Sequence, residues 1–145
     1  MIGATTTERQ FAVSAAALFS VLVEPDTYPE WLVGAKRIRD VSDDWPSPGS
    51  WFSHTVGFGP IAIPDRTTLR DLEPPHLLVL FVRARPVIEA VVRFDVIAKG
   101  ECCTLRMTET PAGTYKLITP LVRPLIRARN ERSLERLSGV VDDLG

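Results

Sequence analysis

The chain has 145 residues, 45% hydrophobic and 24% charged, which describes one globular domain, residues 1–145, able to build its core without a metal or disulfide staple. Seventeen Lys/Arg against eighteen Asp/Glu leave a net charge of −1, which disfavours a strongly basic nucleic-acid or membrane-surface protein but leaves a local basic face open. Twelve prolines are scattered through a chain too aliphatic for disorder, and no apolar run approaches the ~20 residues that span a bilayer.

Met1 to Gln10 is polar and lacks the basic-then-apolar layout of a secretion signal, so a cytoplasmic location is expected. Glu8 to Val13 alternates polar and apolar residues and reads as a strand. Ser14 is a good N-cap for a short helix over Ala15 to Leu22, and Pro25 and Pro29 allow at most one further turn, ending near Trp31. Arg37 to Asp43 is a polar strand, closed by the turn Pro46-Ser47-Pro48-Gly49. Strands follow over Ser50 to Phe58, Ile63 to Leu72, Leu77 to Arg85, Val87 to Ala98 and Cys102 to Thr110, each bounded by Gly or Pro. Ile88, Ala90, Val92, Phe94 and Val96 share one face, opposite Glu89, Arg93 and Asp95, so one side is buried and the other wet. The adjacent Cys102 and Cys103 point to opposite faces, and two reduced thiols are expected. Thr119-Pro120 reads as a cap and first turn of a long helix to about Leu144, with a stripe through Leu121, Val122, Leu125, Ile126, Leu134, Leu137, Val140, Val141 and Leu144.

This order predicts an α+β fold. Six to seven strands with hairpin-scale connections form a curved antiparallel sheet, two short helices follow the first strand, and the C-terminal helix covers the concave face. A single helix, ~10 Å wide, cannot fill such a concavity, and the space left over is the natural ligand site.

Phe11-Ala-Val-Ser-Ala-Ala-Ala-Leu-Phe19, Val21-Leu22 and Glu24-Pro25-Asp26-Thr27-Tyr28-Pro29-Glu30-Trp31 resemble the opening of the START-like (SRPBCC) superfamily. Gly49 before a strand, Leu69 to Pro75 followed by Leu77, Gly100 before Cys103-Thr104-Leu105, and Ser133 to Leu137 extend the resemblance along nearly the whole chain. This is the helix-grip group of polyketide cyclase/dehydrase-type proteins, plant pathogenesis-related class 10 proteins and lipid-transfer domains. The chain departs from it in Glu24, where Asp is frequent, and Ser14, where Pro is frequent. The resemblance implies a cavity for an apolar or aromatic small molecule and no particular reaction.

On the strand after Gly49, Phe52, His54, Val56 and Phe58 form the more apolar face, which places His54 among aromatic neighbours as a candidate general acid or base, or simply a hydrogen-bonded rim histidine. Asp65 shares a face with Ile63, Thr67, Leu69 and Asp71; turned inward it would pair with His54 as a general base, and turned outward it is a solvated turn residue after Pro64. Cys103, Leu105, Met107 and Glu109 share a face, with Cys103 a small core residue, Met107 adaptable pocket filler or simply core, and Glu109 near the cavity rim if that face turns inward and otherwise an ordinary surface glutamate. Trp31, Phe81 and Phe94 supply large apolar area. Arg123, Arg127, Arg129, Arg132 and Arg136 on the helix read first as a solvated face, with Arg123 and Arg127 a candidate cationic entrance. No dinucleotide, phosphate-loop, nucleophile-elbow or paired Cys-x-x-Cys motif occurs, and His54 and His76 have no metal-ligand spacing, so neither cofactor nor metal is expected.

The leading expectation is therefore a carrier or sensor of a small hydrophobic or aromatic ligand or lipid. Its ligand-binding set is Trp31, Phe52, His54, Val56, Phe58, Phe81, Phe94, Met107, Arg123 and Arg127. One alternative is a polyketide aromatase/cyclase-type enzyme that uses His54 and Asp65 in the same cavity; another is a ribosome- or protein-interacting module. Nucleic acid and integral membrane association are disfavoured, and the protein is expected to be a monomer or homodimer.

Overall fold

The computed structural model describes residues 3–33, 35–58, 60–84 and 88–143, with the side chains of 56–58, 61 and 62 outside that description. Its elements run β1 Thr5–Phe11, α1 Ala15–Leu22, a 3-10 turn Pro25–Thr27, α2 Tyr28–Trp31, β2 Ala35–Val41, β3 Trp51–Phe58, β4 Ile61–Glu73, β5 Leu77–Ala84, β6 Ile88–Lys99, β7 Cys102–Pro111 and α3 Tyr115–Asp142. The seven strands form one antiparallel sheet in the order β1-β7-β6-β5-β4-β3-β2. Consecutive strands from β2 to β7 are neighbours, and β1 closes onto β7 because the short helices carry the chain across the sheet from one edge to the other.

The α+β helix-grip architecture read from the sequence is the one observed. Ser14 caps α1 as its residue type demands, its Oγ accepting from the Ala17 N–H at 3.1 Å. Ala90, Val92, Phe94 and Val96 of β6 and Cys103, Leu105, Met107 and Glu109 of β7 are buried on the concave face. Leu134, Leu137 and Val141 of α3 pack into the same core. The hydroxyl of Ser133 ties the helix down, accepting from Val33 N–H at 3.0 Å and donating to the Arg129 carbonyl at 3.0 Å.

Three local readings need correction. The first strand is Thr5–Phe11, earlier than Glu8 to Val13, because β1 pairs along β7 from Thr5↔Glu109 to Phe11↔Cys103. A register shift between Leu69 and Asp71 turns Leu72, rather than Asp71, toward the core, so Asp71 leaves the face it was expected to share with Asp65 and Thr67. The long helix begins at Tyr115 rather than Thr119 and carries both Pro120 and Pro124 inside it. Each proline removes one hydrogen bond, to the carbonyls of Lys116 and Pro120, and both of those residues are exposed, where water can satisfy them.

The helix also turns differently from expectation. Leu121 and Leu125, assigned to the buried stripe, face outward, and Tyr115, Thr119, Ile126 and Asn130 face inward with Ile118 and Val122 beside them. The phase is set by Leu134, Leu137 and Val141, and running it back at 3.6 residues per turn reaches Asn130, Ile126 and Thr119.

Candidate ligand cavity

Between the concave face and α3 lies a cavity of about 320 Å³. Its walls are largely apolar: Tyr28, Trp31 and Leu32 from the α2 segment, Ala35 and Ile38 from β2, Phe52 from β3, Leu80 and Val82 from β5, Val92 and Phe94 from β6 and Met107 from β7. Shifts of register within β2 give it a three-residue burial rhythm, which is how Ala35 and Ile38 both turn inward. The aromatic side chains are fixed by their neighbours. Trp31 meets Tyr28 and Phe94 edge-on at centroid separations of 5.5 and 6.2 Å, and its indole N–H donates to Thr27 Oγ1 at 3.1 Å. The Tyr28 hydroxyl donates to the Leu22 carbonyl, and burial pushes its pKa up, with Glu24 adding to the rise.

Two polar groups interrupt the oily wall. On one side His54, 3% exposed, places Nε2 2.9 Å from the Thr67 hydroxyl, with the Phe52 ring 5.7 Å away. Burial holds its pKa below the usual histidine value, although Asp65 and a hydrogen bond with the Arg66 backbone pull the other way. The ring is therefore neutral at neutral pH, with one nitrogen able to accept a proton.

The second group comes from β7 and α3. Glu109, 4% exposed, pairs with Arg129, Nη2 to Oε1 at 2.5 Å, and its Oε2 accepts from the Tyr115 hydroxyl at 3.4 Å. Burial raises the Tyr115 pKa, and the nearby Glu109 charge adds to it. Asn130, 1% exposed, faces its Oδ1 to Arg129 Nε and Nη2, both at 3.3 Å. Those donors fix which way the amide points. Asn130 Nδ2 is left buried without a hydrogen-bond partner.

Of the residues expected from the sequence, Trp31, Phe52, His54, Phe94 and Met107 line this cavity. The side chains of Val56 and Phe58 lie outside the described residues. His54 and Asp65 sit directly opposite each other in the β3–β4 register, on one face of the sheet, and Asp65 is half-buried but is not among the residues that line the cavity.

Phe81 is not part of the lining. Alternation along β5 turns Leu78, Leu80, Val82 and Ala84 inward, so Phe81 lies on the convex face beneath the Arg70 and Arg83 guanidinium groups, 4.2 and 4.8 Å from its ring centre. Arg123 and Arg127 do not reach the cavity either. Arg127 is exposed, Arg123 is half-buried with its Nε covered but outside the lining, and the arginine that enters is Arg129, paired with the buried Glu109 carboxylate. Glu109, Arg129 and Asn130 are polar lining residues absent from the expected ligand-binding set, as are the apolar Tyr28, Ile38 and Leu80; the face shared with Met107 was the signal for Glu109. Among the described residues no cluster of three His, Cys, Asp or Glu is placed to hold a metal ion.

The family described as polyketide cyclase / dehydrase and lipid transport matches residues 3–142. The chain belongs to this family. The expected START-like relationship is thereby shown, and solved structures agree with it. A START superfamily protein from Mycobacterium smegmatis matches with TM-score 0.77 at 17% identity, over 98% of this chain and 99% of that one. The Zhui aromatase/cyclase from Streptomyces sp. R1128 matches with TM-score 0.76 at 11% identity, over 96% and 93%. Norcoclaurine synthase from Thalictrum flavum, in complex with dopamine and hydroxybenzaldehyde, matches with TM-score 0.70 at 16% identity, over 97% and 86%. At such identities the likeness is one of fold. No curated protein matches the chain.

Proposed function

We propose that the protein is a carrier or sensor that binds a small, mainly apolar ligand bearing a carbonyl or similar acceptor oxygen in this cavity. One observation carries the reading: Asn130 lines an otherwise largely apolar cavity, and its amide Nδ2 is buried with no partner of its own. A buried donor left unpaired costs free energy that a ligand oxygen would recover. The volume stands at the small end of the roughly 300–1,000 Å³ range for ligand pockets, which suits one or two fused rings or a medium-length acyl chain. Trp31, Phe52, Phe94 and Met107 would contact the apolar body, and His54 would meet a second polar atom. The family's description, which includes lipid transport, supports the same class of ligand.

A thermal-shift screen of fused-ring ketones, medium-chain methyl ketones and the matching hydrocarbons tests it. A ligand at a hundred times its Kd stabilises by about 2.7 kcal/mol, an increase of roughly 5–10 °C in Tm for a domain of this length. Ketones should outperform the hydrocarbons, and Asn130→Leu should remove that preference. If no member of the panel raises Tm, the reading fails.

The register of His54 against Asp65 favours a second reading, in which a bound polyketone is held in a reactive conformer while His54 moves its protons and Asp65 orients the ring. The fold shared with an aromatase/cyclase supports it. His54→Gln would then abolish turnover of such a substrate while leaving its binding nearly intact; unchanged turnover excludes His54 from that role.

A further inference from the structure

The outward face of the first half of α3 is apolar without interruption. Leu117, Leu121 and Leu125 are 78%, 83% and 71% exposed, and Pro120, Pro124 and Ala128 complete the spacing i, i+3, i+4, i+7, i+8, i+11 on the same exposed side. Three large leucines side by side on water are unusual in a monomer, where isolated exposed apolar residues are the rule. The stripe extends for roughly 20 Å of helix and stops where Glu131 and Glu135 take over that face.

Charge accompanies the stripe. Lys116, Arg123, Arg127 and Arg129 are basic, and no Asp or Glu stands between Glu109 and Glu131, in a chain whose net charge is −1. Arg129 is spent on Glu109. Lys116 and Arg127, both exposed, stand i, i+11 and within about 20° of each other around the helix along one flank of the leucines, with the half-buried Arg123, its Nε out of water, between them. The other side of the same turns packs Ile118 and Val122 against Ile88 and Ala90, and both of those β6 residues also wall the cavity.

We infer that the first half of α3 is a docking surface for an anionic lipid bilayer. An apolar helical face flanked by cations on long stems is the arrangement that lies in a membrane interface, leucines among the acyl chains and cations level with the phosphates. Charge complementarity selects this occupant over a second copy of the chain. Two copies paired through the stripe would bring like-charged flanks together, since the acids of that face, Glu131 and Glu135, begin only beyond it. Docked in this way, α3 lies between the lipid phase and the cavity wall formed by Ile88 and Ala90. No helix among the described residues is long and apolar enough to cross a membrane, so docking is peripheral.

Flotation of the full chain with vesicles tests the inference, on protein without any cavity ligand. A failed ligand screen therefore leaves it standing, and failed flotation leaves the cavity reading standing. The protein should float with phosphatidylcholine vesicles containing phosphatidylglycerol, much less with pure phosphatidylcholine, and less as salt is raised. Leu121→Glu/Leu125→Glu should weaken partitioning at least about tenfold, and Lys116→Gln/Arg127→Gln about thirtyfold on the anionic vesicles. Both pairs lie on the exposed face, so circular dichroism and Tm should match the parent protein. Failure to float with anionic vesicles would overturn the inference, as would flotation indifferent to both pairs of substitutions. A dimer in sedimentation that the leucine substitutions dissociate would also overturn it, by assigning the face to a second copy.

Discussion

Replacing Arg129 with methionine keeps the bulk of the stem and removes the guanidinium, which strands the Glu109 carboxylate inside the protein. Glu109 would then keep only the Tyr115 hydroxyl at 3.4 Å, too long for a strong bond. Breaking a fully buried pair costs about 3–5 kcal/mol, and the Arg129 side chain is 30% exposed, so about 2–3 kcal/mol is the expected loss. At 2–4 °C per kcal/mol for a chain of this size, Tm should fall by about 4–12 °C. The double variant Glu109→Gln/Arg129→Met removes the stranded charge and should lie within about 1 kcal/mol of the parent. Urea unfolding of the four proteins closes the cycle, and a coupling of about 1.5–2 kcal/mol is expected. Equal stability of parent and Arg129→Met, or a coupling near zero, would mean that water reaches the pair and that this end of the cavity is not dry.

Because burial lowers the His54 pKa, the unfolded chain binds its proton more readily than the folded one. Stability from this group is complete above about pH 6.5 and falls as pH drops through the window below, by at most about 1.4 kcal/mol per pH unit. His54→Gln should flatten that slope in urea titrations taken between about pH 7 and about pH 5, and parallel slopes would refute the burial of a neutral ring. Phe94→Ala should cost about 3–5 kcal/mol in chemical unfolding, since its ring is packed against Trp31, and should let bulkier ligands enter. A loss below about 1 kcal/mol would mean that Phe94 borders open space rather than core.

Strand order and faces were legible in the sequence because alternation in β6 and β7 is strict and the turns are marked by Gly and Pro. Trp31, Phe52, His54, Phe94 and Met107 could be placed on the lining for the same reason. Phe81 could not, because both faces of β5 carry apolar residues and hydrophobicity alone does not reveal their phase. The start of α3 was hidden by Pro120 and Pro124, which look like a beginning and prove to be interior. That displacement sent Leu121 and Leu125 to the wrong side of the helix. Glu109, Arg129 and Asn130 escaped because the stabilising partner of a buried charge lies twenty residues away, and pairing at that range is a tertiary fact.

The most direct test is a nuclear magnetic resonance titration of the parent protein with a medium-chain methyl ketone such as 2-undecanone. The Asn130 side-chain amide, the Trp31 indole N–H and the Met107 methyl should shift together and saturate, while the Phe81 ring on the convex face stays still. Unmoved resonances at all three sites, at ketone concentrations up to its solubility limit, would contradict a ligand in the cavity between sheet and helix.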